Sequence, residues 1–173
     1  MTLTIRPARL NEYDEVAKVW MESWCSTGLE SPSDTLLANL KLRVPREVAD
    51  GWSLYVADGQ GELAAMLAVN GPRLYLDQLF VAPRWQGQSL GRRLLGFTRE
   101  LLPYEIWLRC VRENEKAWRW YERENFLFER EAVDPLHGRT MKYYRWKRPA
   151  LGGVEQRLPA GADPESHRGK ARS

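Results

Sequence analysis

The spacing of apolar side chains changes repeatedly along the chain, and the changes predict seven strands and four helices. Alternation of apolar and polar residues is typical of a strand, whereas apolar residues three and four positions apart form one face of a helix. Strands are predicted at 3–5, 53–57, 62–69, 73–81, 105–111, 126–130 and 140–146. Helices are predicted at 13–24, 36–40, 90–101 and 114–121.

Polar residues in front of three of these helices predict where each begins. Asn11 is expected to cap the first helix, with Asp14 as the reciprocal partner of a capping box. Asp34 and Asn114 are expected to cap the second and the fourth helix. Pro103 ends the third, because proline cannot continue a helix.

The order of the predicted elements indicates the fold class. A strand, two helices, three strands, a helix, a strand, a helix and two strands follow one another. The Asp58-Gly59 turn joins two of the strands as a hairpin, and the strand–helix–strand step over 73–111 is typical of a crossover between strands of one sheet. We therefore predict an α/β (α+β) fold with a mixed sheet and helices on both of its faces.

Composition changes after Arg148 and limits the folded unit. Residues 149–173 are rich in Pro, Gly, Ala and charged residues and contain no aromatic side chain, a composition typical of disorder. We predict one domain at 1–148 and a disordered tail at 149–173. With 43% apolar residues in a chain of 173, one core of ordinary size is expected.

Charge and cysteine content argue against several classes of function. Lysine and arginine number 26 against 23 acidic residues, and no block gathers them, so a nucleic-acid-binding face is not favoured. Neither an apolar run long enough for a membrane span nor a secretory leader is present. Cys25 and Cys110 have no disulfide or metal spacing, and His137 and His167 are too isolated to predict a metal site. We expect a reduced, cytoplasmic protein without a membrane or a nucleic acid as partner.

A turn of small residues between a predicted strand and a predicted helix has the character of an anion site. The segment Gln86-Gly87-Gln88-Ser89-Leu90-Gly91 opens the helix at 90–101, whose first N–H groups have no partner within the helix. Arg84, Arg92 and Arg93 add positive charge. The combination predicts binding of a phosphate or pyrophosphate, although it is neither a Walker A loop nor a GxGxxG fingerprint. A glycine-containing turn without a ligand is the alternative.

Two motifs at a suitable separation carry a more specific signal than either one alone. Residues 86–91, after Leu79-Phe80-Val81-Ala82-Pro83, match [QR]-x-x-G-x-[GA] at the entry of a helix. Behind Asn114, residues 117–126 match A-x-x-[FW]-Y-[ED]-[KR]-x-[GN]-F. Over roughly residues 3–146 the sequence thus resembles the GNAT superfamily of acyl-CoA-dependent N-acetyltransferases. One position departs from the family pattern, because Ser89 stands where glycine is usual and tolerates a positive φ less well.

The resemblance implies a mostly antiparallel sheet of about seven strands and acetyl-CoA as the donor substrate. Backbone amides at 87–92 would hold the pyrophosphate, and the backbone of Leu79 and Val81 would pair with the pantetheine where two strands part. A backbone N–H near Leu79 would polarise the acetyl carbonyl. The residues implied in cofactor binding are Leu79, Phe80, Val81, Gln86, Gly87, Gln88, Ser89, Leu90, Gly91, Arg92 and Asn114.

The resemblance also implies a catalytic role for Tyr121. A phenol, with a pKa of about 10, can protonate a CoA thiolate as it leaves; on spacing alone, a core aromatic is the alternative. The acceptor amine must be neutral to attack, and Asp77 and Glu30 are the candidate bases. An acyl-cysteine intermediate at Cys25 is a minor alternative, because no base is spaced to activate the thiol.

The acceptor is less well defined than the donor. Residues 24–30 and 137–143 are expected to line its pocket, which would suit a small amine, an amino acid, or a protein N-terminus or lysine. The predicted function is acetyl transfer to a primary amine by direct attack in a ternary complex. A non-catalytic acyl-CoA-binding module and, more weakly, a nucleic-acid binder are the alternatives, and homodimer formation is left open.

Overall fold

The computed structural model describes residues 2–31 and 36–151. Within them the chain forms seven strands and four α-helices joined by short turns. The strands are β1 (Thr4–Pro7), β2 (Ser53–Asp58), β3 (Leu63–Asn70), β4 (Tyr75–Val81), β5 (Glu105–Val111), β6 (Leu127–Val133) and β7 (Thr140–Lys147). The helices are α1 (Tyr13–Cys25), α2 (Leu37–Ala49), α3 (Leu90–Leu101) and α4 (Glu115–Arg123).

The strands form one sheet in the order β1-β2-β3-β4-β5-β7-β6. All neighbours are antiparallel except β4 and β5, which run parallel and are joined through α3. This arrangement confirms the predicted mixed, mostly antiparallel sheet. It also places β4, which carries the first motif at its end, in the middle of the molecule.

Helices cover both faces of the sheet, as predicted. Every residue of β3 except the last is buried, which requires cover on both faces. Phe80 of β4 stacks on Trp20 of α1 with ring centroids 5.9 Å apart. Tyr55 of β2 contacts Phe97 of α3 edge-on at 5.0 Å, and the register across β3 places Tyr55 on the same face as Leu79. Since adjacent strand residues point to opposite faces, α1 and α3 lie on opposite sides of the sheet.

The start of α1 differs from the prediction. A 3₁₀ turn precedes the helix, and the Glu12 carboxylate accepts hydrogen bonds at 2.7 Å from both the Arg9 backbone N–H and the Arg6 guanidinium. Asn11 is exposed and does not cap the helix, and Asp14 forms an ion pair with a lysine of α2 at 3.1 Å. The predicted capping box is wrong because a distant arginine fixes Glu12 in the capping position.

Several predicted boundaries shift as well, most by one or two residues, and three of the shifts have a visible cause or a larger size. Residue 73 is not in β4, because the Asn70 side chain accepts from the Arg73 N–H at 3.3 Å and closes a 3₁₀ turn. Helix α2 continues well beyond 40, and Leu36 is 57% exposed instead of lying on its apolar face. Strand β6 extends three residues past the predicted end at 130.

Some predictions concern residues that the structure does not describe. The cap at Asp34 lies outside the described residues, as do His167 and the predicted tail from residue 152 onward. Within 2–31 and 36–151, no helix is long and apolar enough to cross a membrane. The same residues contain no group of three or more His, Cys, Asp or Glu side chains that could hold a metal ion.

Candidate active site

Strands β4 and β5 part soon after they meet. Their one registered pair is Tyr75 and Trp107, whose rings stack with centroids 3.9 Å apart. The Trp107 backbone N–H donates to the Leu74 carbonyl at 2.9 Å, and its indole N–H donates to the Arg73 carbonyl at 2.7 Å. Beyond Tyr75, no further register joins these two strands in the described part of the chain. The divergence opens a cleft in the middle of the sheet.

The edge of β4 that faces this cleft carries unpaired backbone groups. The Ala82 N–H donates to Ala64 of β3 at 2.9 Å. Since hydrogen-bonded and non-hydrogen-bonded pairs alternate along an antiparallel ladder, Leu79 and Val81 direct their backbone groups away from β3. The Val81 carbonyl accordingly accepts a side-chain hydrogen bond from Gln86 at 3.0 Å. At Leu79 and Val81 this edge is not paired with β5 in the described residues, and the pairing of both residues with pantetheine stays a prediction.

The loop that follows β4 turns tightly into α3. Gly87 and Ser89 both adopt left-handed backbone conformations, with φ of 75° and 61°. For serine this conformation costs about 1 kcal/mol, which is the strain expected where the family pattern has glycine. Gly91 lies against the Trp120 ring of α4, so the loop sits between the end of β4 and the helix that carries Tyr121. Side chains 86–89 are exposed, which leaves the first amides of α3 accessible.

The three arginines of the first motif all have partners within the protein. Arg92 donates to the buried Glu124 carboxylate at 2.8 Å, and Arg93 donates to the Leu3 carbonyl at 2.9 Å. Arg84 forms an ion pair with Glu62 of the β2–β3 turn. These contacts hold the loop against its neighbours, and binding of an anion by the backbone N–H groups of the loop stays a prediction.

Tyr121 lies in the cleft of about 200 Å³ between β4 and β5. Its ring packs edge-on between Trp120 and Phe126, with centroids 4.9 and 5.4 Å away. Burial raises the pKa of the Tyr121 phenol well above 10. Asn114 lines the same cleft and caps α4 as predicted, accepting the Ala117 N–H at 3.3 Å. The phenol is thus a neutral proton donor on a fixed helix.

A β-bulge brings Asp77 into the same cleft. The register between β3 and β4 shifts between Ala68 and Val69, which leaves Asp77 without a partner residue on β3. Because of this extra residue, Asp77 and Phe80 both line the cleft although they lie an odd number of positions apart. The carboxylate accepts from Trp52 Nε1 at 2.8 Å and from the Gln78 amide at 3.0 Å. Burial raises the pKa of Asp77 despite these bonds, which makes its carboxylate a stronger base.

The other residues with predicted catalytic roles lie elsewhere. Glu30 is exposed and does not line the cleft; its backbone carbonyl accepts from Arg139 at 2.8 Å. Cys25 is exposed at the end of α1, also outside the cleft lining. Cys110 does line the cleft, but burial raises the pKa of its thiol to about 12, so it is a poor nucleophile.

Several residues of the cleft, among them Tyr75, Arg109 and Asp134, were not expected from the sequence, whereas His137 and Arg139 lie in the predicted range 137–143. Tyr75 and Arg109 face the cleft from β4 and β5, and Arg109 Nε donates to the Tyr75 hydroxyl at 3.3 Å. In the turn before β7, Asp134 contacts His137 Nδ1 at 2.9 Å, and both residues line the cleft together with Arg139. The one signal in the sequence was Arg109 itself, a charged residue inside the apolar run of β5.

The family assignment follows from the match of a sequence model to the part of the chain that forms this site. The model of the Acetyltransferase (GNAT) family matches residues 13–126, which include the free edge of β4, the loop and Tyr121. The chain belongs to the GNAT family of acetyltransferases. No curated protein sequence matches it.

Solved structures of GNAT proteins share the fold. The solution structure of apo-form YjaB from Escherichia coli has a TM-score of 0.71 and 22% identity, covering 86% of this chain and 100% of that one. The PaiA N-acetyltransferase from Thermoplasma acidophilum, in complex with coenzyme A, has a TM-score of 0.66 and 16% identity, with 84% and 100% covered. The spermidine N-acetyltransferase from Vibrio cholerae, in complex with CoA and spermine, has a TM-score of 0.61 and 20% identity, with 84% and 95% covered. These proteins have the same fold as the chain, and two of them were solved with CoA.

Proposed function

We propose that the protein is an N-acetyltransferase that moves an acetyl group from acetyl-CoA directly to a primary amine while both are bound. The observation that carries this proposal is that the free backbone edge at Leu79 and the phenol of Tyr121 share one cleft. The CoA complexes of similar structures support the choice of donor. The active domain in this proposal is residues 1–148.

The groups that remain unpaired in the structure suit an extended molecule with a pyrophosphate and amide groups. Backbone N–H groups of Gly87 to Arg92 would hold the pyrophosphate at the positive end of α3. Leu79 and Val81 would bind the pantetheine amides in the manner of an added strand. The bound pantetheine would be surrounded by the side chains of Gln86, Phe80 and Asn114.

Acetyl-CoA supplies an activated thioester when bound, and the residues of the cleft handle the protons. Asp77 accepts a proton from the acceptor ammonium, directly or through water, which frees the lone pair for attack. The Leu79 N–H donates to the thioester oxygen and stabilises the negative charge that develops there. Glu30, on the exposed loop after α1, is the alternative base.

Tyr121 completes the transfer as the acid. The C–N bond forms as the C–S bond breaks, and the phenol donates its proton to the departing sulfur. The nitrogen loses a second proton once the bond has formed, and this proton restores the phenol through solvent. Burial raises the pKa of Tyr121, which keeps the phenol protonated before the reaction but makes it a weaker acid toward the thiolate.

Two measurements on the full chain test the proposal. Calorimetric titration with acetyl-CoA is expected to give one site per chain. Incubation with acetyl-CoA and a panel of amines is expected to release free CoA thiol only when an accepted amine is present. Binding without thiol release for any amine would favour the alternative of a non-catalytic acyl-CoA-binding module. Absence of binding to the folded protein would end both interpretations.

A further inference from the structure

We propose that the acceptor is an amino acid, with its amine beside Asp77 and its carboxylate bound by Arg109 and Arg139. This inference rests on the proposed function and names the substrate class of the same cleft. The observation behind it is that both guanidinium groups line the cleft and that neither forms a direct ion pair with a carboxylate of the described residues.

Arg109 is the first of the two cations. It projects from β5 and is half-buried, and its Nε donates to the Tyr75 hydroxyl at 3.3 Å. No carboxylate of the described residues lies within the 4.0 Å of an ion pair. By contrast, Arg6, Arg92 and Arg145 each contact at least one carboxylate. A guanidinium held out of bulk water without an anion is a favourable site for one, because its planar fork binds a carboxylate with two parallel hydrogen bonds.

Arg139 adds a second cation from the turn before β7. One of its N–H groups donates to the Glu30 carbonyl at 2.8 Å, and its guanidinium lies 5.6 Å from the centre of the Trp24 ring. These contacts fix the side chain but leave its charge uncompensated within the described residues. Arg43, which also lines the cleft, differs because Glu47 neutralises it at 3.0 Å.

The acids of the cleft, Asp77 and Asp134, interact electrostatically with Arg109, but in the described residues neither forms a direct ion pair with either guanidinium. Asp134 accepts hydrogen bonds from His137 Nδ1 and from the Leu136 N–H at 3.2 Å, so its oxygens are engaged within the turn. The carboxylate of Asp77, on β4, already accepts hydrogen bonds from the Trp52 indole and the Gln78 amide. What remains is one carboxylate that can take a proton from an amine and two guanidinium groups that can bind an anion.

The way Tyr75 links Arg109 to Asp77 favours an amino acid over a diamine or a longer molecule. The Tyr75 hydroxyl contacts Arg109, and its pKa is raised by burial and by the nearby Asp77 carboxylate. A single phenol therefore separates the proposed anion site from the proposed base. The amine and carboxylate of an amino acid are separated by one carbon, which suits two groups that contact the same phenol. The second ammonium of a polyamine would instead meet like charge.

A matched panel of acceptors tests the inference. Each of a series of L-amino acids is compared with its own carboxamide, which keeps the amine and the side chain but removes the charge of the carboxylate. We expect kcat/KM for the best amino acid to exceed that of its amide by about tenfold or more. The lower amine pKa of the amide favours the amide in this comparison, so the expected preference runs against intrinsic reactivity.

Variants connect the preference to the two arginines. Arg139→Gln is expected to lower kcat/KM for the amino acid more than for the amide and so to remove most of the preference for the carboxylate. Arg109→Lys keeps the positive charge but loses the fork, and is expected to raise KM for the amino acid more than for the amide. Arg119→Gln, on the exposed side of α4, is the control and should leave the preference intact.

The outcomes separate this inference from the function on which it rests. If amides or polyamines are acetylated as well as or better than every amino acid, or if Arg139→Gln lowers both activities equally, the inference is overturned and the acetyltransferase proposal stands. Aminoalkyl phosphates are tested as further acceptors. A preference for an acceptor with a phosphate over one with a carboxylate also overturns the inference. If no amine releases CoA thiol, the proposed function fails and the inference fails with it.

Discussion

The indole N–H of Trp52 donates to Oδ2 of Asp77 at 2.8 Å, from the start of β2 to the bulge of β4. The bond favours the ionised carboxylate and lowers the pKa of Asp77, whereas burial raises it by more. Trp52 therefore sets how basic the proposed base is, although it does not line the cleft itself.

Trp52→Phe is expected to raise the pKa of Asp77 further, because the charged form loses a hydrogen bond while the ring packing against Trp20 is kept. A base acts when it is deprotonated, so the acidic limb of the kcat/KM–pH profile should move to higher pH. In Asp77→Asn this limb should flatten. An unchanged limb in Asp77→Asn would assign the proton to another group, and Glu30→Gln then tests the alternative.

Tyr121→Phe is expected to lower kcat by about a hundredfold or more while acetyl-CoA binds as before, because the ring is kept and only the proton donor is lost. Steady-state kinetics together with calorimetric titration check this. Tyr104→Phe is the matched control, since Tyr104 is 75% exposed and should change neither value. Normal turnover of Tyr121→Phe with normal donor binding would remove the acid role.

Ser89→Gly is expected to be more stable than Ser89→Ala by about 1 kcal/mol, because both lack the hydroxyl but only glycine adopts φ near 61° without strain. Chemical denaturation of the two variants measures this difference. Equal stability would contradict a left-handed conformation at residue 89. The donor affinity of Ser89→Gly relative to the natural chain then shows whether the same strain affects binding.

Much of the site could be predicted because its signals are local. The small residues from Gly87 to Gly91 follow a strand and open a helix, and Asn114 caps the helix of Tyr121. The loop and the helix cap both depend on residues that are neighbours in sequence, so spacing and residue type were sufficient to predict them.

The features that were missed depend on residues far apart in sequence. Glu12 displaces Asn11 as the capping residue because Arg6 of β1 binds it. The bulge that turns Asp77 into the cleft arises from pairing with β3, and strict alternation along β4 would have placed Asp77 on the face of Leu79. Arg109 becomes part of the site because β4 and β5 separate. This separation cannot be predicted from the sequence of either strand alone.

The cluster of Arg6, Glu12 and Asp58 should make stability depend on acidity. Arg6 bonds to both carboxylates, at 2.7 and 2.8 Å, and these bonds lower the pKa of Glu12 and of Asp58. A carboxylate whose pKa is lower in the folded than in the unfolded state stabilises the fold at neutral pH. This stabilisation is lost as the pH falls below the ordinary carboxylate pKa of about 4. Arg6→Met should therefore cost about 1–2 kcal/mol at pH 7 and much less near pH 3.

Denaturation curves of Arg6→Met at both pH values check this prediction. Arg9→Met is the control, since the Arg9 side chain is 68% exposed and approaches Glu12 only to 3.8 Å. A cost for Arg6→Met that does not depend on pH would indicate lost packing instead of lost charge pairing.

Amide hydrogen exchange followed by NMR tests the central claim most directly, that the unpaired edge of β4 binds the donor. On addition of acetyl-CoA, the amides of Leu79 and Val81 should become strongly protected. The amide of Phe80 serves as an internal control, because it already bonds to β3 in the alternating ladder and should change little. Unchanged exchange at Leu79 and Val81 in protein saturated with acetyl-CoA would contradict the account.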